Sequence, residues 1–587
     1  MSFDSLVLAT LLFFLLFALY KELFHPAAAF MIVITLLVLF GILEPKEALQ
    51  GFSNPQVAVI VLLLVVTSVL KKFKTTALLF KKIVSENLSY EKFILRLMVF
   101  TSFLSSFLNN TPVVATLIPY VYNWGRKKKI SPSKLLIPLS YAAILGGTAT
   151  LIGTSTNLVV NALYIEAGYP SLRMIDFALV GVPAILLGIT YMYFIGGRIL
   201  PERKDALKSF YEKKREYIIE TVVPHNSPVA GKTVQEARLR NLKGLFLAEI
   251  VRGKERILPV SPEDIIEKGD VLIFVGETEK IVELVKGEWG LKLPRACSID
   301  TGKALEIIEA VVSHNSSLSG KKVKDTDFRA KYDAVILAVH RNGEKLSGKV
   351  GEIILKPGDL LLILAGRDFW KRVSDSDDIY VMTKVTELDK ENERYGIVVL
   401  FLFVLTVILA SFGVISLFNG LLLLLSLLIV LKVTTYGEIR KNIDLNLAII
   451  AALSIALGHA MVKTGLADFL ASNLINLVEP LGVTFALLMV YLITNLLTEF
   501  VTNIAAASIS FPIALSVAEH FSVNPKAFVL AVAFAASASF LTPIGYQTNL
   551  MVYSAGNYRF SDFVRVGFPL ALSYMFLTIL LLKIFFL

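Results

Sequence analysis

The 587-residue chain has one cysteine, Cys297, so it can close no internal disulfide, and neither a disulfide-built fold nor a cysteine-based zinc or iron–sulfur site is open to it. Charge is scarce as well: Asp, Glu, Lys and Arg make up 18% of the residues, where a soluble globular chain carries about 25%. The sequence shows no nucleophile–base arrangement, no phosphate-binding glycine loop and no metal-spaced His/Glu pair, which argues against an enzyme. What is abundant is apolar: 55% of residues are hydrophobic and the mean hydropathy is +0.67. This is the composition of a polytopic α-helical membrane protein.

The net charge of +10 (58 − 48) does not mark a nucleic-acid partner, because the basic residues gather at the ends of apolar runs and in the middle of the chain. The charge divides the chain into membrane blocks at 1–200 and 395–587 and a soluble block at 201–394. The apolar run from Leu6 has no basic residue ahead of it and no small-residue cleavage signal after it, so it is expected to be a retained span and not a signal peptide.

A membrane-crossing helix takes about 20 largely apolar residues, and the first block offers such runs near 4–20, 27–44, 56–71, 134–165 and 175–197. The stretch 92–124 is long enough for two helices but carries Asn109-Asn110-Thr111-Pro112 at its middle. Polar, helix-breaking sequence at membrane depth is tolerated only inside protein or along a cavity, which predicts a re-entrant hairpin with that tip. The run 134–165 is itself broken at Gly153-Thr154-Ser155-Thr156-Asn157.

The last block repeats the plan, with spans near 396–412, 414–431, 445–463 and 563–585, a hairpin at 481–518 broken at Thr502-Asn503, and a run over 527–557 broken from Thr542 to Asn549. The offsets agree: 503 − 110 and 512 − 119 are both 393 (Asn, Pro), and 545 − 153 and 549 − 157 are both 392 (Gly, Asn). Lys71, Lys72, Lys74, Lys81, Lys82, Arg126 to Lys129, Arg198, Arg203 and Lys204 mark cytoplasmic ends. Five spans plus one hairpin per half then place both termini outside, the middle block in the cytoplasm, and the halves in opposite orientation. That is the inverted-repeat architecture of secondary transporters.

The soluble block is duplicated too, as units 201–300 and 301–394: His225-Asn226-Ser227 recurs as His314-Asn315-Ser316, and Gly269-Asp270 as Gly358-Asp359, each 89 residues later (314 − 225, 358 − 269). Short β runs such as Leu245 to Val251 and Val271 to Val275 between turn signals predict a tandem α+β insert.

Broken helices at matching positions point to a site near the membrane midplane. Asn109, Asn110, Thr111, Thr154, Ser155, Thr156, Thr498, Thr502, Asn503, Thr542 and Thr548 supply amide and hydroxyl oxygens which, with unwound carbonyls, suit a dehydrated sodium ion. The same half-helices aim N–H groups and dipoles inward, which stabilises an anion. For any one of these residues a bond to its own backbone is an equal reading; the recurrence of all four motifs favours function. Glu499 and His459 are the ionisable residues deepest in apolar sequence. The carboxylate is expected to brace the second hairpin and the histidine to pack, with a proton relay as the other reading.

Asn109-Asn110-Thr111 and Thr498-Glu499-Phe500-Val501-Thr502-Asn503-Ile504 resemble the two Ser-Asn-Thr signatures of the divalent anion/sodium symporters, and Gly153 to Asn157 and Gly545 to Asn549 look like that family's paired clamshell loops. The resemblance covers both membrane blocks and implies a homodimeric elevator transporter. It implies that Asn109, Asn110 and Gly153 line one sodium site, and Thr498, Thr502, Asn503 and Gly545 a second. Asn110, Thr111 and Asn503 would contact the anion, with Thr154, Ser155, Tyr546 and Gln547 completing the substrate set. The chain departs from the signatures at Asn109 and Thr502, each in place of Ser, and at Ile504 in place of Thr. The lost hydroxyl weighs for a small tetrahedral oxyanion over a dicarboxylate. The 89-residue repeats resemble the ligand-binding C-terminal domain of Trk-type potassium-uptake regulators (RCK_C), and such an insert, with the phrase Thr542 to Val552, looks like the sulfate-transporting branch.

The expectation is therefore a sodium-coupled symporter of a divalent oxyanion in the cell membrane, sulfate ahead of succinate or citrate. It has no covalent cofactor, Na+ as coupling ion, and an unidentified small-molecule ligand for the cytosolic units. A potassium channel or antiporter gated by those units, and an anion sensor that binds without net flux, remain as other readings; a carbonyl filter of the potassium-channel kind is absent from the sequence.

Overall fold

In the computed structural model the apolar runs are helices that break where the polar motifs stand. The structure describes residues 2–21, 23–73, 75–84, 87–203, 218–239, 242, 245–253, 255–257, 260–276, 289–292, 307–313, 316–341, 344–346, 350–366, 368–374, 376, 378–382, 393–435, 437–439 and 445–587. Cys297, His314 and Asn315 lie outside them.

The first block comprises α1 (Phe3–Tyr20), α2 (Pro26–Leu39), α3 (Pro45–Leu49), α4 (Pro55–Lys72), α5 (Thr75–Ile83), α6 (Tyr90–Ser105), α7 (Asn110–Lys128), α8 (Leu136–Thr148), α9 (Ser155–Glu166) and α10 (Met174–Tyr191). Local chemistry sets the starts: Ser2 and Ser89 accept from the N–H groups of Ser5 and Lys92, and prolines open α2 and α3.

After the insert, which holds α11 (Phe328–Tyr332) and α12 (Phe369–Ser374), come α13 (Glu393–Ser411), α14 (Leu417–Val430), α15 (Leu445–Lys463), α16 (Leu466–Val478), α17 (Val483–Thr498), α18 (Asn503–His520), α19 (Lys526–Ser537), α20 (Gln547–Ala555) and α21 (Phe560–Phe586). Each expected hairpin is a helix pair, α6/α7 and α17/α18, and each expected broken span is a pair, α8/α9 and α19/α20.

Helices α5 and α16 were not anticipated. At nine and thirteen residues they are too short to cross a bilayer. In α16 the buried Leu466, Ala467, Ala471, Leu474, Ile475 and Val478 recur at helical spacing, so its other face is left outward. By length and composition, four helices of the described residues can span a membrane, Phe3–Tyr20, Met174–Ile199, Leu445–Lys463 and Phe560–Phe586, and the pair Pro45–Ser53 with Pro55–Leu70, bent by 44°, makes a fifth if it is one span. The expected spans 27–44 and 414–431 are helices of 14 residues each.

The two membrane blocks share one buried apolar cluster and are stitched by tyrosines. The hydroxyls of Tyr141, Tyr191 and Tyr558 donate to the carbonyls of Phe540 (2.8 Å), Val566 (2.7 Å) and Ser133 (2.6 Å). Each carbonyl lies on the opposite block, so neither half is complete without the other.

The insert forms two antiparallel sheets. β1 (Ile218–Val222), β2 (Leu245–Arg252), β3 (Glu255–Ile257) and β4 (Val271–Gly276) are ordered β1-β4-β2-β3. β5 (Ile307–Val312), β6 (Ala334–Arg341), β7 (Glu344–Lys345), β8 (Leu360–Ala365) and β9 (Ile379–Val381) are ordered β7-β6-β8-β5-β9. The 89-residue duplication is structural. The bulge at Leu247/Glu249 recurs at Ile336/Ala338, and the buried Asp270, paired with Arg252 at 2.9 Å, recurs as Asp359, paired with Arg341 at 2.7 Å.

Candidate functional site

The four helix breaks repeat one bonding scheme. In the first half the Thr150 hydroxyl donates to the Ser106 carbonyl at the tip of α6/α7 and accepts from the Gly153 N–H at 3.0 Å. In the second, the Thr542 hydroxyl donates to the Glu499 carbonyl at 3.3 Å and accepts from the Gly545 N–H at 3.0 Å. Asn157 ties its loop by donating to the Thr150 carbonyl (2.8 Å), and Asn549 does the same to those of Ser539 (2.8 Å) and Thr542 (3.2 Å). Each unwound loop is thus clasped to a hairpin tip, and its backbone groups are held away from lipid.

Both glycines sit at a close approach. A Cβ at Gly153 would lie 2.5 Å from the Gly147 carbonyl oxygen, and one at Gly545 would lie 2.1 Å from Ser539 Oγ and 3.0 Å from Glu499 Oε2.

The side chains that follow each tip are held from beneath. Ser105 Oγ donates to Asn110 Oδ1, and Thr498 Oγ1 lies 2.9 Å from Asn503 Oδ1 and 2.6 Å from the Ala536 carbonyl. Ser105 was missed in the sequence, although 498 − 105 is 393, the repeat offset. Thr150, equivalent to Thr542 (542 − 150 = 392), was missed on the same count.

Across the halves, Asn110 Nδ2 donates to the Tyr546 hydroxyl at 2.6 Å, and the Thr111 hydroxyl donates to Gln547 Oε1 at 2.8 Å. Tyr546 also lies beside Thr154, which occupies the equivalent place 392 residues earlier (546 − 154). Thr154 and Tyr546 are the N-caps of α9 and α20; both are extended, and neither side chain caps its helix. The first N–H groups of these two helices therefore lack a side-chain acceptor, and with the start of α7 they form a concentration of positive dipole ends. Asn109, Thr154 and Ser155 also line a cavity of about 20 Å³ against Thr67 of α4, room for one water-sized body.

The structure thus brings Asn109, Asn110, Thr111, Thr154, Ser155, Tyr546 and Gln547 together. Thr498, Thr502, Asn503 and Gly545 form a second group around the other tip, where Thr502 caps α18 and Asn503 is half-buried.

Glu499 braces this second group. Its carboxylate accepts from the Leu541 and Thr542 N–H groups, each at 3.0 Å, and from Ser539 Oγ at 3.1 Å. His459 is a correction: it is not deep. Its side chain is 40% exposed, and Nε2 lies 3.3 Å from Glu47, which also pairs with Lys463 at 2.8 Å. One helical turn separates His459 from Lys463, so the end of α15 carries a surface ion cluster where sequence hydropathy implied a buried position.

The family model described as citrate transporter matches the chain over residues 13–525 and 422–587. A Chlamydomonas reinhardtii protein provisionally named sulfur deprivation response regulator is 33% identical over 558 residues, covering 91% of this chain and 94% of the relative. An uncharacterized transporter of Synechocystis sp. is 31% identical, covering 96% and 94%. Sodium/sulfate cotransporter 1 of Chlamydomonas reinhardtii is 25% identical, covering 93% and 86%.

Proposed function

The chain belongs to the citrate-transporter family of divalent anion/sodium symporters, and from that premise we propose that it is a sodium-coupled symporter of a divalent oxyanion, sulfate ahead of dicarboxylates. It is a multi-pass membrane transporter and not an enzyme. The observation that carries the substrate reading is the meeting of the uncapped α9 and α20 starts at Thr154 and Tyr546, beside Asn110 and Thr111.

None of the residues in this cage is basic. A dianion placed there gains N–H and amide donors but no counter-charge, and burying uncompensated charge is costly. Sodium ions at the two clasped loops, Gly153 with Asn109 and Asn110, and Gly545 with Thr498, Thr502 and Asn503, would supply that charge. Each ligand then raises the affinity for the other. Ile504, buried and apolar, stands where a further hydroxyl donor would grip a longer dicarboxylate, which supports sulfate. The relatives named sodium/sulfate cotransporters support the same choice.

In this reading the halves form an inverted repeat, and the site alternates between faces by an elevator motion within a homodimer of the cell membrane. Both termini lie outside, and the insert at 201–300 and 301–394 is cytoplasmic and RCK_C-like. The test is equilibrium binding of radiolabelled sulfate to purified full-length protein at rising sodium with choline as the balancing cation. Affinity that rises with sodium supports the proposal; affinity indifferent to sodium overturns the coupling.

A further inference from the structure

The duplicated cytosolic units differ in one respect that their sequence symmetry does not predict. Strand β5 of the second unit alternates: Ile308, Ala310 and Val312 face that unit's own core, while Val311 belongs to the buried cluster of the membrane helices, together with Leu360 and Met382. On the same face, the Tyr122 hydroxyl of α7 donates to Glu309 Oε2 at 2.6 Å, with both residues at most 2% exposed. The turn before β8 also touches the membrane block: a Cβ on Gly358 would lie 2.9 Å from Leu550 Cδ1 of α20. A Cβ on its mate in the first unit, Gly269 (358 − 89), would have nothing within 4 Å among the described residues.

The two helices gripped in this way are those that begin with the anion-site residues. α7 starts at Asn110 and α20 at Gln547, and Leu550 is one turn into α20. We propose that the second cytosolic unit is mechanically one body with α7 and α20, and that it is the unit through which the cytosolic block and the anion site act on each other. The first unit, whose equivalent glycine meets no described residue, is left outside that coupling. A buried tyrosine–carboxylate hydrogen bond is a stiff link, because separating it takes a donor away from a desolvated carboxylate. Within the unit, the Met382 N–H donates to the Glu309 carbonyl at 2.8 Å, and Val312 pairs with Ile379, so β9 and the Asp378 loop ahead of it are tied to the same strand. Coupling of this kind is reciprocal. The proposal rests on the reading of Asn110, Thr111 and Gln547 as anion ligands.

Hydrogen exchange on the full-length protein tests it. Without ligand, Tyr122→Phe keeps the ring and deletes the donor. Exchange is expected to quicken by about tenfold in 307–312 and in 547–555, and to stay unchanged in 218–222. With sodium sulfate, protection is expected to rise in 110–128, 547–555 and 307–312 of the wild type, and the rise in 307–312 to vanish in Tyr122→Phe. Should that variant fail to fold, Glu309→Gln, which keeps the volume and weakens the bond, carries the same comparison. If 307–312 ignores both the variant and the salt while 547–555 responds to the salt, the proposal is overturned. If the variant loosens both segments while sodium sulfate protects none, the coupling stands and the substrate reading fails.

Discussion

The side-chain amide of Asn110 donates to the hydroxyl of Tyr546 at 2.6 Å, joining residues 436 positions apart at the start of one half-helix and the cap of another. The bond fixes which way the Asn110 amide points: its oxygen faces Ser105 and its nitrogen faces the second half. Tyr546→Phe leaves that buried N–H without its acceptor, at a cost of about 1–3 kcal/mol. Sulfate affinity is expected to fall by about tenfold or more, about 1.4 kcal/mol being tenfold, with the folded yield retained. Binding of radiolabelled sulfate measures it; unchanged affinity would detach Tyr546 from the site.

The glycine loops yield a graded pair of variants. At Gly153 an added methyl meets a backbone carbonyl at 2.5 Å, which cannot swing aside; at Gly545 it meets the Ser539 hydroxyl at 2.1 Å, which can rotate. Sodium-induced thermal stabilisation is expected to disappear in Gly153→Ala and to be reduced in Gly545→Ala. The reverse order would contradict the packing argument.

Glu499 and Ser106 hold equivalent places, yet only the carboxylate takes up loop N–H groups on the opposite side of its clasp. Glu499→Ala orphans two of them, each worth about 1–3 kcal/mol. A large drop in melting temperature is expected, whereas Ser106→Ala, which removes a hydroxyl bonded to its own helix at Ser102, should cost far less. Equal shifts in the two variants would refute the bracing role.

Acid should loosen the second unit of the insert before the first. Burial pushes the Asp378 carboxyl up, but hydrogen bonds from Lys331, Tyr332 and Ser317 outweigh it and hold the group at about 2, below its ordinary value of 3.8. The sign follows: this contribution to stability is complete above the ordinary carboxylate value and is lost as pH falls from about 4 toward 2. Exchange in 307–312 and 379–381, corrected for the intrinsic pH effect, is expected to rise over that window in the wild type. In Asp378→Asn it should already be fast at neutral pH and show no such step.

Much of this was legible because the chain is written twice. The polar breaks at Asn109-Asn110 and Thr502-Asn503 announce themselves against apolar surroundings, and the offset of about 393 pairs them. The same offset held Ser105 and Thr150 in plain view, but a single hydroxyl in a membrane helix is an ordinary sight, and only the bond to Asn110 or to Gly153 marks it. His459 misled because hydropathy averages over a window while exposure depends on the helix face. The meeting of Thr154 with Tyr546 was beyond sequence reading, since it depends on how the halves interlock. The docking of β5 on α7 was equally hidden, because both units of the insert carry the same pattern and the sequence does not say that α7 and α20 pack against the second.

The central claim is sodium-driven movement of sulfate. Its most direct test is uptake of radiolabelled sulfate into proteoliposomes with and without an inward sodium gradient, with unlabelled succinate as competitor and Asn110→Ala and Asn503→Ala alongside. The account predicts uptake that requires the gradient, ignores succinate and is lost in both variants. Uptake without sodium, uptake erased by succinate, or normal uptake by both variants would contradict it.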